Sequence, residues 1–265
     1  MRLTTWNVNS VRLRLGLIER FVAEVAPDVL CFQETKVEDG SFPLKAFCEM
    51  GYSHAAIAGQ KGYHGVAVLS RRPLADPVRV NWCAKGDARH VQVTLPGDVE
   101  LHNFYVPAGG DEPDPAVNEK FAHKLQFLDE MADFFAQYRN PRAILVGDLN
   151  IAPLECDVWS HKKLLRVVSH TPIEVEKLAA VQASLDWCDV MRLLTPPPEP
   201  LFTWWSYRAR DWRAANRGRR LDHVWVTPAL AGAARAMDVL KEARGWERPS
   251  DHAPVTVDFS DNALR

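Results

Sequence analysis

The 265-residue chain carries 32 Lys+Arg against 34 Asp+Glu, with 47% hydrophobic and 25% charged residues. This is ordinary globular composition, which excludes disorder, collagen-like repeats and a disulfide-stapled miniprotein. The near balance of charge argues against a polycationic coat, though not against a local basic patch.

Such a length corresponds to one or two domains and buries a large core without crosslinks. The five cysteines (Cys31, Cys48, Cys83, Cys156, Cys188) are scattered with no C-x-x-C pair. They read as reduced thiols of a cytosolic protein and not as a structural zinc site. No apolar run approaches the roughly 18 residues of a membrane span. The opening MRLTTWNVNS lacks the features of a signal peptide.

Leu3–Val8 reads as a strand, and Leu15, Ile18, Val22 and Val25 then recur at helical spacing. Asp28–Gln33 is a short apolar run suited to a buried strand. Further strands are expected at His64–Ser70, His90–Leu95 and Val99–Val106. The clearest helix is expected from Pro115 to Tyr138, with Val117, Phe121, Leu125, Leu128, Met131 and Phe135 on one face. Ala143–Val146 is another buried strand, followed by a mixed, largely helical stretch to Trp187. The segment 195–200 (TPPPEP) reads as rigid and extended. Residues 221–226 (LDHVWV) and 253–259 (APVTVDF) rejoin the sheet core, giving one α/β domain spanning 1–265.

Polar residues stand where these apolar strands end. Asn7 and Asn9 close the first strand and Glu34 the second, while Asn103 and Tyr105 share one face of a third. Asp148 and Asn150 follow AILV, Asp222 lies inside LDHVWV, and Asp251-His252 precedes the last strand. Taken singly, such residues are turn formers. Together they read as a convergent site, because a buried carboxylate costs several kcal/mol unless paired, hydrogen-bonded or metal-bound. Oxygen donors without cysteine suit a hard divalent cation, Mg²⁺ with Mn²⁺ as substitute. A free Asp could take a proton from water, and an Asp–His pair could steady a phosphoryl oxygen. The chemistry so described is metal-assisted hydrolysis of a phosphate ester.

The strings LTTWNVNSVRLR (3–14), PDVLCFQETK (27–36), KGYHGVAVLS (61–70), NFYVP (103–107), VGDLNIAP (146–153), RLDHVWV (220–226) and SDHAP (250–254) span nearly the whole chain. Through them the sequence resembles the exonuclease III family of apurinic/apyrimidinic (AP) endonucleases, within the endonuclease/exonuclease/phosphatase superfamily. The resemblance implies a four-layer α/β sandwich: two mixed β-sheets packed face to face with helices outside.

It also implies roles. Glu34 resembles the principal metal ligand with Asn7 beside it, Asp148 the general base, and Asn150 a residue that orients the water. Tyr105 matches the active-site tyrosine, and His252 a phosphate-binding histidine oriented by Asp222. Asp251 is either a metal ligand or a partner of the leaving oxygen. With two ions in place of one, Asp148, Asn150 and His252 would also be ligands. Asn103 is read as a further DNA contact. Two positions depart from the family pattern. Ala108 stands where an Asn often follows YVP, its donor absent or replaced by backbone N–H groups of Gly109 and Gly110. Arg219 stands where many relatives have an aromatic.

Residues 207–220 (YRARDWRAANRGRR) hold six arginines and one aspartate, interleaved with aromatics. Arginine forks bond phosphate, and neighbouring aromatics can stack on bases. Arg217, Arg219 and Arg220 are the expected DNA contacts, and by resemblance Trp204 and Leu221 line a pocket for a base-less sugar. The leading reading is a Mg²⁺-dependent, monomeric phosphodiesterase of base-excision repair that cuts 5′ to abasic sites and trims duplex DNA 3′→5′. The alternatives are a phosphoesterase of the same fold acting on an inositol phosphate, lipid or RNA, and a DNA-binding module without catalysis.

Overall fold

The computed structural model describes residues 1–261. Its strands, in chain order, are β1 (Arg2–Asn7), β2 (Val29–Gln33), β3 (His54–Ala58), β4 (Val66–Ser70), β5 (Ala75–Val78), β6 (His90–Leu95), β7 (Val99–Tyr105), β8 (Ala143–Asp148), β9 (Cys188–Asp189), β10 (Trp204–Trp205), β11 (Gly218–Arg219), β12 (Asp222–Val226), β13 (Ala234–Val239) and β14 (Val255–Phe259). One six-stranded sheet has the order β13-β14-β1-β2-β4-β3 and the other β5-β6-β7-β8-β12-β9, with β10-β11 a separate ribbon. Both sheets are mixed: β1–β2 and β7–β8 run parallel, the remaining pairs antiparallel.

Period-2 alternation assigns each strand side chain to a layer. Leu3, Val29, Cys31, Val66 and Val68 of the first sheet face Val91, Val93, Leu101, Ile144, Val146 and Val224 of the second, forming the central core. On the outer face of the first sheet, Trp6, Leu30, Phe32 and Leu69 pack against Ile18 and Phe21 of α1 (Leu15–Val25) and Phe47 of α2 (Leu44–Glu49). On the outer face of the second, Phe104, Leu145 and Trp225 pack against Phe127, Leu128, Met131 and Phe135 of α3 (Glu119–Ala136). After the short α4 (His161–Leu164), α5 (Pro172–Ala183) adds Leu178 and Val181 to this layer. The result is the expected four-layer α/β sandwich. Strands covered on both faces read as continuous apolar runs, which is why they were visible in the sequence.

Two local expectations are corrected. The long helix begins at Glu119 and not at Pro115, because the Asn118 side chain accepts the Lys120 N–H and caps it there. Residues 195–200 do not run extended: they form a turn in which the Glu199 N–H donates to the Pro196 carbonyl. Among the described residues, no helix is long and apolar enough to cross a membrane.

The registry of β8 with its neighbours is tight. Gly147 has φ +136°, and a Cβ there would stand 2.0 Å from the Phe104 carbonyl oxygen. Gly147→Ala is therefore expected to cost about 1–3 kcal/mol or more through forced backbone shifts. Thermal unfolding would show this as a melting temperature lower by several degrees, whereas an unchanged value would contradict the close approach.

Candidate active site

Strand pairing alone brings the polar strand ends together. Across β7, β8 and β12 the register pairs Tyr105 with Asp148 and Asp148 with Asp222, so three chain-distant residues form one row. β1 and β2 end beside them with Asn7 opposite Gln33, directly before Glu34. The Asn7 side-chain N–H groups donate to Glu34 Oε1 at 2.8 Å and Asp148 Oδ2 at 2.9 Å, so one amide spans the two sheets. Glu34 Oε2 faces outward and carries the Lys36 ammonium at 2.8 Å.

The backbone is bent to make these contacts. Asn9, Glu34, Lys36, His64 and Asn150 all hold left-handed φ between 46° and 56°. Non-glycine residues disfavour this region, so each of these five carries backbone strain beside the site.

His252 links the row to the last strand. Its Nδ1 donates to Asp222 Oδ2 at 2.8 Å, and its Nε2 lies 3.6 Å from Asp148 Oδ2. Burial opposes the imidazolium, but Asp222 and Asp148 outweigh it and raise His252 to about 10. Burial likewise lifts Asp148 to about 7, with His252 pulling against it and Asp222 reinforcing it. Asp148 Oδ1 accepts the Asn150 N–H at 3.0 Å, and the Asn150 amide donates to the Val106 carbonyl at 2.9 Å. Burial first, and then Glu34 and Asp148, push the Tyr105 phenol well above its ordinary range, keeping it a neutral donor. Asp251 Oδ2 accepts the Trp204 indole N–H at 2.9 Å and Oδ1 an Asn9 N–H at 3.2 Å; burial would raise its carboxyl, but the His252 charge first, and then these hydrogen bonds, hold it low.

These groups floor a cleft of about 610 Å³, lined further along by Ala108, Trp159, Val168, Ser169, Trp204, Arg208, Trp212, Arg217, Arg219 and Leu221. Trp204, Leu221, Arg217 and Arg219 stand on the wall of the cavity that holds the acids. Ala108 opens onto the cleft, while Gly109 packs against Lys124 and Phe121.

Two expected DNA contacts do not reach it. Asn103 is fully buried between the sheets, donating to the carbonyls of Phe32 and Ala67 at 3.0 Å each and accepting from Gln33 at 2.7 Å. It stitches the two sheets together. Arg220 is fully buried and forks onto both oxygens of Asp157, with Asp189 2.7 Å from its Nη1. A guanidinium buried this deeply and held by two carboxylates is not available to phosphate.

Sequence reasoning missed the brace behind the site. Lys124 Nζ donates to the Asn150 carbonyl at 2.8 Å and to Glu174, whose carboxylate also accepts the N–H groups of Ser169 and Thr171 and the Thr171 hydroxyl. The signal was present: position 124 lies on the apolar stripe of Phe121, Leu125 and Leu128. Trp159 of the cleft wall was also missed, since nothing in its local sequence separates it from a core tryptophan.

The sequence profile of the endonuclease/exonuclease/phosphatase family matches residues 4–252, a span that contains every residue of the row and the cleft. The chain belongs to that family. It is 29% identical to the exodeoxyribonuclease III of Haemophilus influenzae, an alignment covering 98% of this chain and 100% of the relative. An AP endonuclease of Archaeoglobus fulgidus superposes with a TM-score of 0.91 at 31% identity, covering 98% of this chain and 99% of that one. The 3′-5′ exonuclease NExo of Neisseria meningitidis superposes with a TM-score of 0.90 at 33% identity, covering 98% and 100%. With these relatives, the chain is an exonuclease III-like hydrolase of phosphodiester bonds.

Proposed function

We propose that this family member is a Mg²⁺-dependent nuclease of DNA base-excision repair that incises duplex DNA 5′ to abasic sites and removes nucleotides from 3′ ends. The observation that carries this is the continuity of one cleft, with buried carboxylates at one end and arginine and tryptophan along its wall. The acids supply hydrolysis, and the arginine–aromatic wall suits a phosphate chain bearing stackable groups. An inositol phosphate or lipid would need neither the four tryptophans of the cleft, Trp159, Trp204, Trp205 and Trp212, nor a groove of this form. The complete row of Tyr105, Asp148, Asp222 and His252 argues equally against a binding module without catalysis.

The donor set fits a hard divalent ion. Glu34 presents Oε2 to a cation already, namely Lys36, while the Asn7 amide holds its other oxygen, and Asp251 adds a carboxylate to the same cleft. Asp148, Asp222 and His252 also lie close enough to hold an ion. Both ring nitrogens of His252 face carboxylates, however, so we assign this trio to proton handling and the ion to Glu34 with Asn7. Bound there, Mg²⁺ would offset phosphate charge and polarise the ester oxygens. Asp148, oriented by Asn7 and Asn150, takes the proton of the attacking water. His252, locked by Asp222, donates to a phosphoryl oxygen, and the Tyr105 hydroxyl adds a second donor.

The test is a nicking assay comparing an abasic duplex, an intact blunt duplex and an inositol phosphate, each with Mg²⁺ and with chelator. Mg²⁺-dependent incision confined to the DNA substrates is expected. Turnover of the inositol phosphate, or cleavage that survives chelation, would overturn the assignment.

A further inference from the structure

Two adjacent arginines of the cleft region are treated very differently by the fold. Arg220 spends its Nε, Nη1 and Nη2 on Asp157 and Asp189. Arg219, on the cleft side, has no carboxylate partner among the described residues. Its Nη1 alone makes hydrogen bonds, to the Val168 carbonyl at 3.0 Å and the Ser169 hydroxyl at 2.7 Å. Its Nε is buried without any acceptor. The guanidinium lies over the Trp204 ring at 5.2 Å, and the same indole donates to Asp251. One aromatic ring therefore bridges Arg219 and Asp251.

A partly buried cation held only by neutral acceptors is electrostatically unfinished, because desolvation is not offset by an opposite charge. Burial lowers its proton affinity, with only Glu174 acting the other way. The Ser169 N–H is already taken by Glu174, so what Arg219 adds to the wall is two contacts with neutral oxygens, the Val168 carbonyl and the Ser169 hydroxyl. The missing anion must come from the ligand.

We infer that Arg219 is a specificity-determining anion contact, receiving the phosphate one nucleotide beyond the scissile bond, on the released side. This rests on the nuclease reading above and refines it. A displaced residue within a strand carries such a phosphate on its 3′ oxygen, whereas a terminal residue ending in a 3′-hydroxyl does not. Arg219 thus favours incision at internal positions, and ends bearing a 3′-phosphate, over removal of a terminal 3′-hydroxyl nucleotide. The guanidinium is suited to this because its fork can take two phosphate oxygens while its face stays on Trp204.

The experiment measures displacement of a labelled duplex, in Ca²⁺, by thymidine 5′-monophosphate and by thymidine 3′,5′-bisphosphate. The wild-type protein should bind the bisphosphate about tenfold more tightly, the usual worth of a charge-assisted contact. Arg219→Met should reduce that ratio to near unity, and Arg219→Lys, which keeps the charge but loses the fork, should restore part of it. A role in wall packing alone would leave the ratio unmoved. Equal binding of the two nucleotides by the wild type, or an undiminished ratio in Arg219→Met, would overturn the inference and spare the nuclease reading. Failure of both nucleotides to displace DNA would overturn the two together.

Discussion

Asp148→Asn is expected to lower turnover on an abasic duplex by about 10²–10⁴-fold, the usual contribution of a positioned general base. The change keeps the volume and keeps Oδ1 as acceptor for the Asn150 N–H. It removes the group that takes the proton, and it turns Oδ2 into a donor facing the Asn7 amide, itself a donor. Binding of the same duplex in Ca²⁺ should persist, since a neutral amide repels phosphate less than a carboxylate does. Single-turnover kinetics with a parallel binding curve separates the two effects. Near-normal turnover in the variant would deny Asp148 its role, and lost binding would show that the substitution disturbs the site as a whole.

The largest effect on stability is expected at the buried cluster of Asp157, Arg220 and Arg192. Asp157 and Arg220 are both fully buried, and Asp157 also receives Arg192 at 2.5 Å. Removing one partner strands the other charge, which costs about 3–5 kcal/mol. For a protein of this size that is a fall of roughly 10 °C in melting temperature. Burial alone would raise the Asp157 carboxyl, but Arg220 and then Arg192 prevail and hold it below its ordinary value. A depressed folded value stabilises the protein above the unfolded value of about 3.9 and ceases to do so as pH falls through the folded one. The gap between wild type and Asp157→Asn should therefore be full at neutral pH and narrow below about pH 4. A gap independent of pH would refute the ion-pair origin. Arg220→Met should leave the salt dependence of DNA binding as it is, while Arg217→Met should reduce its slope by about 0.9.

These residues also show what the sequence conveys and what it conceals. The central strands were legible because Val29–Gln33 and Ala143–Val146 are covered on both faces and contain little but apolar residues. Glu34, Asp148 and His252 were legible for the complementary reason, as polar groups ending such runs. The edge strands β5 (ADPV) and β13 (ARAMDV) were invisible, because a half-covered edge carries no apolar run to detect. Arg220 looked like a phosphate contact because its charge was read from its neighbours in the chain. Its true partners, Asp157 and Asp189, lie 63 and 31 residues away and meet it only through the fold. Asn103 was misplaced likewise: its position on the same strand face as Tyr105 was right, but the first sheet closes over it.

The Lys124–Glu174 brace gives the cleft unequal flanks. One carboxylate fastens Ser169 and Thr171, and its lysine grips the Asn150 carbonyl, so the wall by α5 and the chemical centre form a single rigid jaw. The opposing flank, 206–217, is mostly exposed and is held by lone hydrogen bonds and ring contacts: the Tyr207 hydroxyl donates to the Pro249 carbonyl, Asn216 accepts the Trp205 indole N–H, and the short helix Trp212–Ala215 leans on the Trp205 ring. Adjustment to duplexes of different width or curvature must then come from that arginine-bearing side, while the geometry around the attacked phosphorus stays fixed.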